Sequence, residues 1–482
     1  MAKSIKLNYI FNLINTGVGL LFPIITFPYV TRVIMADGLG RIHFLSSIIN
    51  YVTLLTAIGI PLYAVREIAR LRDRVRERNK ATIEILSLHL LLTLVGYALI
   101  FILAFSINKI YSDIWLYLLL STHIALSAIG IEWFYKGVED FGYITTRSLI
   151  VRIICLILLF VLVKNKEDLY IYAGISIFAE VGNNLLNFVN LRKYVSLRSI
   201  SWRELNLKKH FRPALRIFVL NLITSIYVNL DSVMLGFLST TVAVGYYASV
   251  TRLTKALLGI VTTLGTVLLP RLSNYVSNGE IASFNIVASK ASRFVITMAI
   301  PMVLGLIFSA PQLIPVMCGT EFLPAIPTIQ IIAPIILFIG LSNLVGLQIL
   351  YSQGKENIVI LSTLCGAITN FVLNLLLIPH FAQNGAAIAT VVAEFVVIAT
   401  MMIIGRSFIP FNLLNKYSLK IGIYSLLVCI PILLIQRLHY SYFVLLSFDI
   451  LIAGLLYLVL LTLSRNEFLS IIKETIRKSK KV

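Results

Sequence analysis

The sequence predicts an all-α polytopic membrane protein of about fourteen transmembrane helices, with two pseudo-symmetric six-helix lobes and two further C-terminal helices. Three observations predict it. Of 482 residues, 59% are hydrophobic and 13% charged, against about 25% charged in soluble domains. The apolar residues form repeated runs of about 20, the length that crosses a bilayer core as helix. Lys and Arg alternate between rich and poor connecting segments.

The first run follows MAKSIKLNYIF and continues to Ile34 without a small-residue cleavage site, so it reads as a retained helix and not a cleaved signal. The first six helices are expected at 8–34, 42–64, 82–107, 113–134, 144–163 and 169–191. The next six fall at 213–238, 243–269, 288–309, 323–350, 357–378 and 384–405, and the last two at 417–436 and 440–463. An even number places both termini on one side. That side carries 32 of the 41 Lys and Arg, including REIARLRDRVRERNK at 66–80 and the tail from Arg465, while the opposite side carries 6. Positive charge accumulates on cytoplasmic loops, so both termini are expected in the cytoplasm. The net charge of +20 therefore reflects topology and a surface near anionic lipid, and no nucleic-acid partner is expected.

Enzymatic chemistry is not legible. Walker A, HExxH, paired loop carboxylates and Cys/His clusters are missing from the sequence, and the six histidines are scattered. Cys155, Cys318, Cys365 and Cys429 form neither a disulfide framework nor a CxxC site. No cofactor or metal is expected. The short external segments, the longest near 310–323, argue against a sugar polymerase or ligase, which needs external groups to hold its substrate.

An internal repeat links the first and second sets of six helices. Gly40 lies 26 residues before Arg66, and Gly245 lies 26 before Arg271. Pro61 and Pro270 precede those arginines. The fourth helix exits through Gly137-Val138-Glu139 and the tenth through Gly354-Lys355-Glu356, both spelling G-x-E. The implied domains are an N-terminal lobe at 1–192, a basic linker at 193–212, a C-terminal lobe at 213–406, helices 13 and 14 at 407–464, and a basic tail at 465–482. An even helix number per repeat gives parallel halves, an arrangement with substrate sites between them.

Three cations, Arg152, Arg252 and Lys255, fall inside apolar runs. A charge at bilayer centre costs about 2.5–3.5 kcal/mol on insertion scales, so it faces a cavity or a partner. Asp231 and Arg252 lie at similar depths on consecutive helices and are expected to pair. Lys255, three residues after Arg252, shares its helix face and is left without a carboxylate. Arg152 and Glu180 are a looser match in depth, and Glu394 sits mid-membrane as a candidate for ion coupling. Arg32 and Arg66 stand at helix ends, where they can snorkel to the interface; Glu132-Trp133 reads as an interfacial anchor. Prolines 23 and 28 in helix 1, and 324, 327 and 334 in helix 10, mark kinks. Specificity would lie among polar residues such as Asn8, Asn12, Asn15, Asn50, Asn183, Asn187, Asn221, Asn343 and Asn370.

The stretches FPYVTRVIMADGLGRIHF (27–44), GIPLYAVREIAR (59–70), EWFYKGVEDFGYI (132–144), NLDSVMLGFLSTTVAVGYYASVTRL (229–253), LLPRLSN (268–274) and YSQGKEN (351–357) resemble the Wzx-type polysaccharide-repeat-unit flippases. These belong to the MATE-like exporter superfamily that also holds the lipid II flippases. The resemblance implies two lobes around a central cavity, alternating access, and transfer of an undecaprenyl-pyrophosphate-linked oligosaccharide to the outer leaflet of a bacterial inner membrane. It implies surface polysaccharide assembly (O-antigen or capsule), with a polysaccharide polymerase and chain-length proteins as partners. Cationic cavity residues would hold the pyrophosphate, which in this sequence means Arg252, Lys255, Arg152 and Arg32. The competing expectation is a MATE-type drug or metabolite exporter in which Asp231 or Glu394 couples to protons or sodium.

Overall fold

The computed structural model describes residues 5–195, 204–263, 265–413 and 415–464. The basic tail from Arg465 and the linker residues 196–203 lie outside the described residues, as do the side chains of Asn8, Asn12, Asn15 and Asn221. The described residues form helices and turns, with no strand among them. Nine of their helical stretches are long and apolar enough to cross a membrane, and two of them, Ile25–Arg70 and Glu356–Ile404, each join two of the sequence's runs. Contacts divide the chain into two compact units, Met1–Gly245 and Tyr246–Val482.

In unit 1 the helices are α1 (Ile5–Ala57), α2 (Ile60–Arg70), α3 (Val75–Ser106), α4 (Asn108–Tyr111), α5 (Ile114–Ala128) and α6 (Glu132–Gly137). They continue with α7 (Phe141–Leu162), α8 (Leu169–Val181), α9 (Asn183–Leu191), α10 (Lys208–Leu238) and the start of α11 (Thr241–Thr262). α1 bends at Met35, whose φ of 63° is non-helical. The break therefore follows the prolines of the first run and falls where that run ends. α2 starts after Gly59, at φ 68°, with a proline in its first turn, a helix start that needs no N–H from Pro61.

α10 packs along α1, so contacts group it with unit 1, whereas repeat order sets it at the head of the second six helices. The two matched glycines meet inside this unit. A Cβ on Gly40 would run into the Thr241 carbonyl, and one on Gly245 into the Ala36 carbonyl. Nearby, Lys109 Nζ donates to the carbonyls of Phe237 at 3.2 Å and Ser239 at 2.9 Å, holding the C-terminal end of α10 as basic groups do. Arg41 and Asp113 pair across α1 and the start of α5. The other end of the unit is a cluster of Ile60, Ile68, Ile85, Trp133, Phe134 and Tyr135, closed by edge-on ring contacts of Phe134 and Tyr135 with Tyr194.

Unit 2 continues α11 and adds α12 (Gly265–Ser277), α13 (Ile281–Cys318), α14 (Ile326–Ile332), α15 (Ile335–Asn343), α16 (Glu356–Ile404), α17 (Lys416–Ile435) and α18 (Tyr442–Leu463). The proline-rich tenth run becomes a 3-10 turn at Thr320–Ala325, then α14, α15 after Pro334, and a π-helical stretch at Leu344–Leu350. Each proline removes one backbone donor, so the run is built in short pieces. α16 breaks at Ala382, with φ 46°, between the two runs read at 357–378 and 384–405. α13 packs against both α17 and α18.

Burial is inverted relative to a soluble protein. Asn370, Asn374, Thr328 and His210 are fully buried, while Leu94, Ile403, Phe443 and Leu463 are mostly exposed. Lipid tails solvate apolar side chains, so polar groups turn inward to find partners.

The two G-x-E turns share a geometry but not the register of their spelling. Asp140 N–H bonds the Tyr135 carbonyl at 2.9 Å, and Lys355 N–H bonds the Leu350 carbonyl at 2.9 Å. Both are six-to-one closures of a helix end. The left-handed residue between them is Glu139 at φ 59° in one turn and Gly354 at φ 68° in the other. Geometry thus matches Glu139 to Gly354, two residues off the match of Gly137 to Gly354.

Candidate functional site

In unit 1 the most enclosed cation is Arg147, six residues into α7. It is one of the 32 Lys and Arg that the sequence places on the cytoplasmic side, yet it is 4% exposed. Its guanidinium reaches Glu132 of α6 at 3.3 Å, the Asn183 carbonyl at 3.4 Å and the side chain of Asn187 on α9, and it lies over the Tyr143 ring. Lys136 also pairs with Glu132, at 2.8 Å. Glu132, read as an interfacial anchor, is therefore the carboxylate that balances a buried cation. Arg147 Nε, Asn183 Oδ1 and Asn187 Nδ2 are buried without a hydrogen-bond partner.

Arg152, five residues further along α7, is half-buried, and Arg32 is exposed on α1 with its guanidinium donating to the Pro28 carbonyl at 2.6 Å. Glu180 meets His123 of α5 at 3.6 Å, so the match in depth between Arg152 and Glu180 does not become an ion pair. Depth fixes only the height of a side chain; Glu180 turns toward α5, and His123, which the sequence gives no role, becomes its partner. Asp231 is buried on α10.

A second buried polar group joins α2, α3 and α10. His210 bonds Glu84 through Nε2 at 2.7 Å and the Tyr63 hydroxyl through Nδ1 at 2.7 Å. Glu84 also accepts from the Asn206 backbone N–H at 2.8 Å. His210 is thus a buried structural link between helices distant in sequence. Its value depends on which partners surround it, which spacing along one chain does not show.

In unit 2, Arg252 is half-buried and Lys255 exposed on α11, while Thr254 between them points into the unit. Among the described residues, no carboxylate lies within ion-pair distance of Lys255. Glu394 is buried on α16, one turn beyond Thr390, whose hydroxyl bonds that of Tyr247 at 2.9 Å. On the other arm of α16, Asn374 donates to Asn370 at 3.0 Å. Among the described residues no group of three or more His, Cys, Asp or Glu could hold a metal. In this unit one buried acid escapes the sequence reading. Asp449 on α18 is 1% exposed, with Ser309 of α13 as its polar neighbour. Its signal is a lone carboxylate in an otherwise apolar run, the same signal that picks out Asp231 and Glu394.

Unit 2 also holds an apolar groove of about 1180 Å³ between α13, α15, α16 and α17. Ile296, Leu337, Phe338, Phe395, Ile398 and Leu419 line it, and Asn412, Asn415, Lys416 and Ser418 stand at one end. Gly422 opens onto it, with no atom of the described residues beyond its own helix turn within 4 Å of where a Cβ would stand.

A polar, charged interior under an apolar exterior defines a multi-pass membrane protein. Its fold is shared with solved transporters. The structure titled "Lipid II flippase MurJ, inward closed conformation" superposes with a TM-score of 0.73 at 18% identity, covering 96% of this chain and 99% of that one. An inward-facing multidrug resistance MATE family transporter of the MOP superfamily gives 0.58 at 12% identity, covering 80% and 94%. Among curated proteins, a "Putative O-antigen transporter" of Shigella dysenteriae is 24% identical over 402 residues, 83% of this chain and 99% of that protein. One of the same name from Escherichia coli (strain K12) is 23% identical over 411 residues, 84% and 97%. Residues 5–276 match the family described as "Polysaccharide biosynthesis protein", and the chain belongs to that family.

Proposed function

We propose that this chain is a flippase for undecaprenyl-pyrophosphate-linked oligosaccharide repeat units, moving them from the cytoplasmic to the outer leaflet by alternating access. The observation that carries this reading is the groove of about 1180 Å³. Its walls are aliphatic and aromatic, and its polar groups gather at one end. That pattern suits a ligand with a long hydrocarbon tail and a polar head, and offers little to a free sugar. The names of the two bacterial relatives support the same substrate class.

The tail lies along the groove. The pyrophosphate is held by Arg252 and Lys255, with Arg152 and Arg32 contributing, through charge-assisted hydrogen bonds. Lys255 is the first choice, because no carboxylate among the described residues pairs with its ammonium. Outward movement of the anion gains about 2.3 kcal/mol per charge per 100 mV from a potential negative inside. Asp231 and Glu394, both buried, are the groups through which a proton or sodium ion would couple to the cycle. The chain carries out transport without covalent chemistry, in a bacterial inner membrane with both termini in the cytoplasm, supplying a polysaccharide polymerase and its chain-length proteins.

The test is to delete the gene and identify the lipid-linked sugar that accumulates on the cytoplasmic face. Arg252→Ala and Lys255→Ala carriers, expressed at wild-type level, are expected to fail to clear it. Clearance at the wild-type rate by both would remove them from the head-group site. Resistance to cationic dyes on expression, without any effect on lipid-linked sugars, would favour drug export.

A further inference from the structure

Apart from the proposed transport pathway, unit 1 contains a cavity of about 570 Å³ where the end of α2, the first turns of α3 and the start of α10 meet. Arg70, Arg74, Lys80 and Lys209 line it, with Glu77 and Glu84. The acids are already engaged. Glu84 is held by His210 and the Asn206 N–H, and Glu77 pairs with Arg74 at 3.4 Å. Arg70 pairs with Glu67 at 2.7 Å. No carboxylate among the described residues pairs with Lys80 or Lys209. Two ammonium groups therefore face the cavity with a positive surplus, on a floor fixed by the Glu84–His210–Tyr63 link.

The surroundings say what kind of anion reaches it. α10 begins beside the cavity, and its first turns expose Phe211 and Leu215 together with Arg212 and Arg216. Each pair is four residues apart, so apolar and basic side chains lie in adjoining strips of one helix surface. That is how a segment sits at the boundary of headgroups and acyl chains. We propose that this cavity binds the phosphate of an anionic membrane lipid, with Lys80 and Lys209 as its direct ligands and Arg70 and Arg74 as its rim.

The experiment uses the full-length protein in nanodiscs made of equal parts phosphatidylcholine and phosphatidylglycerol. Native mass spectrometry then counts the phosphatidylglycerol that stays bound. Lys80→Gln/Lys209→Gln is expected to retain several-fold less than wild type. Lys80→Arg/Lys209→Arg should retain as much as wild type, and so should the charge-matched control Lys193→Gln/Lys290→Gln. Equal retention by wild type and the Lys80→Gln/Lys209→Gln variant overturns the proposal, as does an equal loss in the control. A third arm adds inorganic phosphate to the wild type. If it displaces the bound phosphatidylglycerol, the cavity takes a soluble phosphate and the lipid assignment is overturned.

Discussion

Gly40 and Gly245 hold reciprocal positions, each facing the carbonyl of the residue four before the other: Thr241 for Gly40, Ala36 for Gly245. A methyl group at either site meets backbone, which cannot swing aside as a side chain can. Overpacking a tight interior costs about 1–3 kcal/mol. Gly40→Ala and Gly245→Ala are each expected to lower the melting temperature of the detergent-solubilised protein. The double variant should cost less than the sum, because moving the two segments apart for one methyl makes room for the second. Additive losses would show that the two contacts are independent.

Glu139 keeps a left-handed backbone at φ 59° where the matching turn uses glycine. A side chain there costs about 1–2 kcal/mol. Against this, Glu139 pairs with Arg72 at 2.9 Å, but both side chains are substantially exposed, and such pairs contribute about 0–1 kcal/mol. Backbone relief wins, so Glu139→Gly is expected to raise thermal stability by up to about 1 kcal/mol. A clear loss in a thermal melt would mean the ion pair outweighs the strain.

The Arg147–Glu132 pair is asymmetric. Removing Arg147 leaves Glu132 paired with Lys136. Removing Glu132 strands a buried guanidinium, and uncompensated buried charges cost about 3–5 kcal/mol. Glu132→Leu is therefore expected to destabilise more than Arg147→Met, by about 2 kcal/mol. Equal losses, read from chemical denaturation in matched detergent, would count against this order.

Gly422 tests the groove without disturbing the fold. Beyond its own helix turn, no atom of the described residues lies within 4 Å of where its Cβ would stand, so a large side chain can project into the groove. Gly422→Trp is expected to express and melt like wild type yet to move lipid-linked substrate at least tenfold more slowly, a loss of about 1.4 kcal/mol in transition-state terms. Wild-type transport by this variant would take the groove out of the pathway.

Asp168 ties down the connection after α7. Backbone N–H groups of Lys164 at 2.8 Å and Asn165 at 3.0 Å hold its carboxyl below the ordinary value of 3.8. A depressed folded-state pKa gives stability that is present above the unfolded value and is lost as pH falls through the folded one. Hydrogen-exchange protection at 164–168, corrected for intrinsic rate, should persist at neutral pH and fall only below 3.8. Asp168→Asn should flatten that dependence; an unchanged profile would assign it to another group.

The hydrophobic runs were readable along the chain because each helix needs its own length of apolar residues, whatever surrounds it. The breaks at Met35 and Ala382 fall where those runs end. Side-chain partners were less legible. Glu180 matches Arg152 in depth yet turns to His123, since depth leaves the angle about the helix axis open. Arg147, close to a helix start, resembles a solvated cytoplasmic residue until α6 and α9 close over it. The G-x-E spelling marks two real turns but misses their register, because the left-handed position is set by hydrogen bonding and glutamate fills it once.

The π-helical stretch at Leu344–Leu350 has a consequence for insertions and deletions. Gln348 donates to Asn343 at 3.0 Å, a contact between residues five apart that lie on one face only where the turn is widened. The wide turn acts as a one-residue insertion in an ordinary helix. Deleting exposed Leu347 would remove that extra residue and let the segment close to α-helix, leaving the side chains on either side in register but losing the Gln348–Asn343 contact. A single-codon deletion at Leu347 should therefore be tolerated better than one in a neighbouring regular α-helix, where losing a residue turns every following side chain by about 100°; thermal melts of the two deletion variants check it.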